Sequence, residues 1–151
     1  MNATLMTMKI EVKEVMCSQQ HEALSAIRRD VFIEEQHVPE DMEWDGLDDE
    51  CVHVLAQDLT LGLSVGTGRL VTDGQIGRMA ILKDYRRRGI GHKMLQQLIK
   101  FAIRNGHEHV YLHAQLYVVD FYQQAAFTIV GDTFMDAGIP HVKMTKALPG
   151  K

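Results

Sequence analysis

The sequence predicts a single-domain α/β fold, a mixed and mostly antiparallel sheet with helices on both faces. Three observations carry this prediction. The length of 151 residues suits one domain, and 46% hydrophobic against 24% charged residues is ordinary globular composition. Apolar periodicity switches repeatedly between two residues and about 3.6, giving the order β-α-β-β-β-α-β-α-β-β. The three consecutive strands form a meander, and the strand–helix–strand step after them is a crossover. No repeat, low-complexity tract or linker interrupts the chain.

Each element has a local reason. Residues 9–15 alternate apolar and charged side chains, with Ile10 and Val12 on one face, as a half-buried strand does. Ser18 is placed to cap a helix running to about residue 36, with Leu24, Ile27 and Val31 at helical spacing. Pro39 and Gly46 bracket a loop. Residues 51–57 and 63–71 read as strands, the second containing Gly66 and Gly68, and Asp73-Gly74 turns the chain into a strand at 75–82. Met94, Leu95, Leu98, Ile99, Ala102 and Ile103 then form the apolar stripe of a long helix, stopped by Asn105-Gly106. Residues 109–115 read as a strand, 118–125 as a short helix, and 127–130 and 141–145 as closing strands. Residues 1–7 are expected to fray as a flexible extension.

The net charge of −4 lacks the basic footprint of a nucleic-acid binder. No run approaches the ~20 apolar residues that span a bilayer, and the N-terminus lacks the pattern of a secretory signal. Cys17 and Cys51 are too few for a disulfide framework and lack metal-ligand spacing, which favours a reducing, cytoplasmic setting. The charge is unevenly placed. Glu40, Asp41, Glu43, Asp45, Asp48, Asp49 and Glu50 form an acidic pole, and Lys83, Arg86, Arg87, Arg88 and Lys93 a basic one.

The basic pole coincides with the segment that carries chemistry. A strand leads into Arg86-Arg87-Arg88-Gly89-Ile90-Gly91 and then into the long helix. A glycine turn entering a helix exposes unpaired N–H groups and the positive end of the helix dipole, which together hold an anion. Gly89 and Gly91 lack Cβ atoms, so a phosphate can approach the backbone closely. His92-Lys93-Met94 after the turn lacks the Lys-Ser/Thr of a P-loop, and the G-x-G-x-x-G dinucleotide fingerprint is absent too. The segment suits a diphosphate held as a handle rather than a nucleotide being hydrolysed.

This R-x-x-G-x-G between strand and helix resembles the acetyl-CoA pyrophosphate loop of GNAT-type N-acetyltransferases. Residues 120–127, Asp-Phe-Tyr-Gln-Gln-Ala-Ala-Phe, are similar to that family's N-x-x-Y-x-x-x-G-F segment, with Asp120 in place of Asn and Ala126 in place of Gly. Residues 31–36, 43–48 and 138–141, with His53, resemble the ElaA-like branch. The resemblance implies acetyl-CoA as co-substrate, no metal, and a homodimer. It implies that backbone groups of Met79, Ala80 and Ile81 hold the pantetheine arm and that residues from Arg86 through Arg87, Arg88, Gly89, Ile90 and Gly91 to His92 receive the pyrophosphate. Tyr122 then lies near the thioester sulfur and protonates the leaving thiolate.

Direct transfer to a primary amine of a small molecule or peptide also needs a base. Glu43, Asp45, His53, His113 and His141 are the candidates, with Glu43 and His113 preferred. The acidic pole would attract a cationic amine. A covalent route through Cys17 or Cys51 is the weaker mechanism, and His107, His109 and His113 lack the partners of a zinc site. Two other functions share these motifs. One is an acyltransferase using a longer acyl-CoA or a carrier-bound thioester, as acyl-homoserine-lactone synthases do; the other is a CoA-binding sensor without catalysis.

Overall fold

The computed structural model describes residues 9–149; the expected fraying of residues 1–7 lies outside them. Strand β1 (Ile10–Val15) is followed by α1 (Cys17–Arg28), which continues as a wider π-helical turn over Arg29–Glu35. A short helix α2 (Glu40–Glu43) then leads to the meander of β2 (Val52–Asp58), β3 (Leu63–Leu70) and β4 (Ile76–Ile81). Helix α3 (Ile90–Arg104), β5 (His109–Gln115), α4 (Val119–Gln124), β6 (Thr128–Asp136) and β7 (Ile139–Ala147) complete the order. Ser18 does not cap α1. The helix begins two residues earlier, with Met16 at the cap position and no side-chain cap bond, so Ser18 lies inside the first turn.

The two-residue period of β2 sorts the helices onto opposite faces. Val54 and Ala56, both fully buried, pack with Met94, Leu95 and Leu98 of α3, whereas Leu55 between them packs with Leu24 and Ile27 of α1. Glycines set the closeness of the α3 contact. A Cβ on Gly66 would lie 3.0 Å from Met94 Sδ, and one on Gly68 would lie 3.3 Å from Leu98 Cδ1 and 2.5 Å from Met79 Sδ.

The sheet is not continuous. Strands β1-β2-β3-β4 form one antiparallel sheet and β5-β7-β6 another. A single parallel bridge, Gln75 with Tyr111, joins β4 to β5, supported by the Tyr111 N–H to Gly74 carbonyl bond at 3.1 Å. Beyond it the two strands separate. The closing strands are longer than their sequence pattern suggests, because β6 is an exposed edge on both faces and shows no buried alternation.

Candidate active site

The gap between β4 and β5 opens a cleft of about 820 Å³. Its walls bring together Met79, Ala80 and Ile81 of β4, Arg86, Arg87, Gly89, Ile90, Gly91 and His92 of the loop and helix start, Tyr122 of α4, Glu43 of α2 and His113 of β5. Arg88 stands apart from these walls, with its guanidinium 5.6 Å over the Tyr85 ring.

The loop before α3 is built for an anion. Arg87 (φ +63°) and Gly89 (φ +79°) are both left-handed, and Gly89 occupies the helix cap without a side-chain cap bond. The first N–H groups of α3, from Ile90 to His92, therefore have no intrahelical acceptor and lie at the positive end of a 15-residue helix. Nothing lies within 4 Å of a Cβ built on Gly89, so this side of the turn is open. A Cβ on Gly91 would press at 3.3 Å on both Ile81 Cδ1 and Phe121 Cζ, so glycine lets the helix start lie against β4 and α4. This cradle fits a diphosphate.

Arg86 has a different task from the one its position suggests. Its Nη1 and Nη2 donate to the two Glu35 carboxylate oxygens at 2.6 Å each, and its Nε donates to the Ile81 carbonyl at 2.9 Å. It clamps the loop to β4 and to the π-helical turn, and its hydrogen bonds hold the Glu35 carboxyl below the usual range.

The unpaired edge of β4 supplies backbone groups. Leu82 N–H donates to Val65 at 2.9 Å and Ile81 stands opposite Gly66, so alternation turns the N–H and C=O of Ile81 and Met79 away from β3. A bulge at Arg78, whose φ is +50°, shifts the β3–β4 register and swings that side chain into the cleft wall.

Tyr122 is 8% exposed, with its ring edge-on to Phe121 at 5.0 Å and to Phe127 at 5.8 Å. Among the described residues no group hydrogen-bonds its hydroxyl. Burial pushes the hydroxyl above its ordinary pKa, so it stays protonated at neutral pH and can donate. The segment that carries it ends at Ala126, held at φ +70° where glycine is the unstrained residue.

Glu43 lines the cleft but is not disposed as a base. It is 2% exposed; one oxygen accepts from Arg28 Nε at 2.8 Å and lies 3.1 Å from Arg78 Nε. The oxygen that could face an amine is already taken up by two guanidinium groups. Three further acids of the pole are engaged in the same way. Asp45 pairs with Arg69 and Arg78, Asp48 with Arg28 and Arg69, and Glu40 with Arg29. Asp45 is held far below the usual carboxylate range by its Arg69 hydrogen bond, and Asp48 is lowered by Arg28 and Arg69 in spite of burial. These pairs offset part of the negative charge of the acidic pole.

The histidines separate by position. His53 is 1% exposed, outside the cleft walls, and its Nε2 donates to the Asp48 carbonyl at 2.9 Å. His113 is on the solvent-facing side of β5, edge-on to Phe134 at 5.0 Å, and partial burial of the ring lowers its pKa. His141, not preferred from sequence, also lines the cleft and is 8% exposed. Arg78 is a further wall residue that no motif marks, and Gln36, the last of residues 31–36, joins the wall while accepting from Gln115 at 3.0 Å.

The model of the acetyltransferase (GNAT) domain matches residues 12–148. The chain belongs to the GNAT acetyltransferase family. It is 39% identical over 132 residues to the Bacillus subtilis protein YyaT, covering 85% of this chain and 88% of that one. It is 34% identical over 122 residues to the N-acetyltransferase YjcF of the same organism, covering 80% and 87%. The crystal structure of Escherichia coli ElaA superposes with a TM-score of 0.80 at 26% identity, over 90% of this chain and 99% of that one. This GNAT chain is accordingly an acyltransferase, and its fold is the acyl-CoA N-acyltransferase fold. Among the described residues no cluster of three or more metal-type ligands occurs, and no helix is long and apolar enough to cross a membrane.

Proposed function

We propose that this GNAT protein transfers the acetyl group of acetyl-CoA directly to a primary amine of a small molecule or peptide. The observation that carries the reading is the continuity of the cleft from the anion cradle at Gly89, along the free edge of β4, to Tyr122. The N–H groups of Ile90 to His92 receive the pyrophosphate and Arg87 adds positive field. Outward backbone groups of Met79 and Ile81 hold the pantetheine arm as an added strand would be held, and an N–H on this edge stabilises the oxyanion. Tyr122 gives its proton to the thiolate as the C–S bond breaks. The free thiols Cys17 and Cys51 support a cytoplasmic setting, and the family resemblance supports a homodimer.

A ligand that binds only the native state raises Tm by mass action. At 100 times its Kd, acetyl-CoA contributes about 2.7 kcal/mol, expected here as a rise of about 5–10 °C. A panel of diamines, arylalkylamines, amino acids and lysyl peptides, followed by free-thiol release, then identifies the acceptor. No stabilisation by acetyl-CoA would overturn the proposal; stabilisation without turnover on any amine would turn it into a sensor. A series of acyl-CoA chain lengths separates acetyl transfer from transfer of a longer acyl group.

A further inference from the structure

The face of the second sheet that borders the cleft is built unlike its opposite. Leu112, Ala114, Val142 and Met144 point into the core, whereas the intervening positions of β5 and β7 carry His113, Gln115, His141 and Lys143. Register places Phe134 of β6 opposite His141, with their rings stacked at 6.0 Å and 25°.

His141 is the most constrained group on that face. Its Nδ1 lies 2.7 Å from the Ile139 carbonyl, two residues away. A carbonyl only accepts, so Nδ1 carries the hydrogen and Nε2 is left with its lone pair. The residue is 8% exposed, its ring packs against Phe134, and it lines the cleft that contains Tyr122. His113 contributes to the same cleft, but its ring meets Phe134 edge-on and no hydrogen bond from the described residues fixes its tautomer.

We propose that His141, through Nε2, is the general base for the acceptor amine; the assignment rests on the acetyl-transfer reading above. The amine nitrogen attacks the thioester carbonyl carbon, the N–C bond forms, and the C–S bond breaks. The proton leaving nitrogen passes to Nε2 of His141, and the sulfur receives the proton of Tyr122. Imidazolium and phenolate then neutralise each other through solvent, which closes the cycle without a further reactant. The charged and titratable groups of the neighbouring elements are His113 of β5, which itself feels Asp136 of β6, Lys143 of β7 and His141, with Glu43, Arg78 and Tyr122 on the other cleft walls.

The first test needs no acceptor. Long-range ¹⁵N NMR of the imidazoles at neutral pH should show His141 as the Nδ1–H tautomer, and a protonated Nε2 in the neutral ring overturns the proposal. The second uses tyramine, whose aryl group suits walls that include Phe32, Val38 and Met42. His141→Asn keeps an N–H donor for the Ile139 carbonyl but has no base. It should lower kcat about 100-fold or more, leave the calorimetric Kd for acetyl-CoA within twofold, and lose the alkaline-rising limb of the pH profile. His113→Asn should keep that limb. Near wild-type kcat in His141→Asn, or loss of the limb in His113→Asn alone, overturns the assignment. Wild-type protein that fails to bind acetyl-CoA overturns the reading beneath it, and calorimetry registers that failure separately.

Discussion

Two side chains on the cleft wall show how environment assigns a role. Tyr122 and Glu43 are both almost fully buried and both line the cleft. Burial, with a smaller contribution from Tyr117, raises the tyrosine pKa, and with no hydrogen-bond partner from the described residues its proton stays available to a departing thiolate. Tyr122→Phe removes that proton while leaving the ring contacts to Phe121 and Phe127. The expected result is a kcat lower by about 100-fold with the acetyl-CoA Kd within twofold, read by steady-state kinetics and calorimetry. Unchanged turnover would take Tyr122 out of the mechanism. Its place was legible in sequence because the spacing from Tyr122 to Phe127 is local. The role of Glu43 was not. Its partners Arg28 and Arg78 lie 15 and 35 residues away, and no short window shows a carboxylate meeting them.

At the scale of elements, order and type were legible because most segments bury one face and so carry a clear period. The strand at 109–115 matches to the residue, and the Asp73-Gly74 turn is where its residue types put it. β6 was truncated in the sequence reading because an edge strand exposed on both faces has no alternation to read. The separation of β4 from β5, which makes the cleft, is a divergence between strands joined through a 15-residue helix, and no local pattern encodes it. Ala126 is a case where sequence and structure agree on a flaw. It stands where the family segment it resembles has glycine, and its φ of +70° shows why glycine suits that position. A left-handed non-glycine residue costs about 1–2 kcal/mol, partly offset by glycine's larger unfolded-state entropy. Ala126→Gly is expected to raise stability by about 0.5–1 kcal/mol, measured by urea denaturation. A loss of stability would mean that the turn after α4 is not strained.

For the whole molecule, a net charge of −4 conceals pairing that sequence position alone does not reveal. The acidic pole folds onto Arg28, Arg69 and Arg78 and becomes a scaffold that holds α1, α2 and the bulge of β4 together. Such a scaffold makes stability depend on pH with a definite sign. Arginine hydrogen bonds depress Glu35 and Asp45; Asp48 is pushed up by burial but depressed further by Arg28 and Arg69. Burial depresses His53 as well. In every case the unfolded chain holds its proton more tightly than the native one, so stability falls as pH falls. The loss begins below about pH 6.5, where unfolded histidine protonates, and steepens below about pH 4 as the unfolded carboxylates follow. Tm measured from pH 7.5 to 3.5 should therefore decline throughout with no acid-side maximum. His53→Gln, which keeps an N–H donor for the Asp48 carbonyl, should flatten the first stage and leave the second in place. A Tm that stays level from pH 7 to 4 would show that the arginine pairs do not survive in solution, and the acidic pole would then regain its attraction for a cationic acceptor.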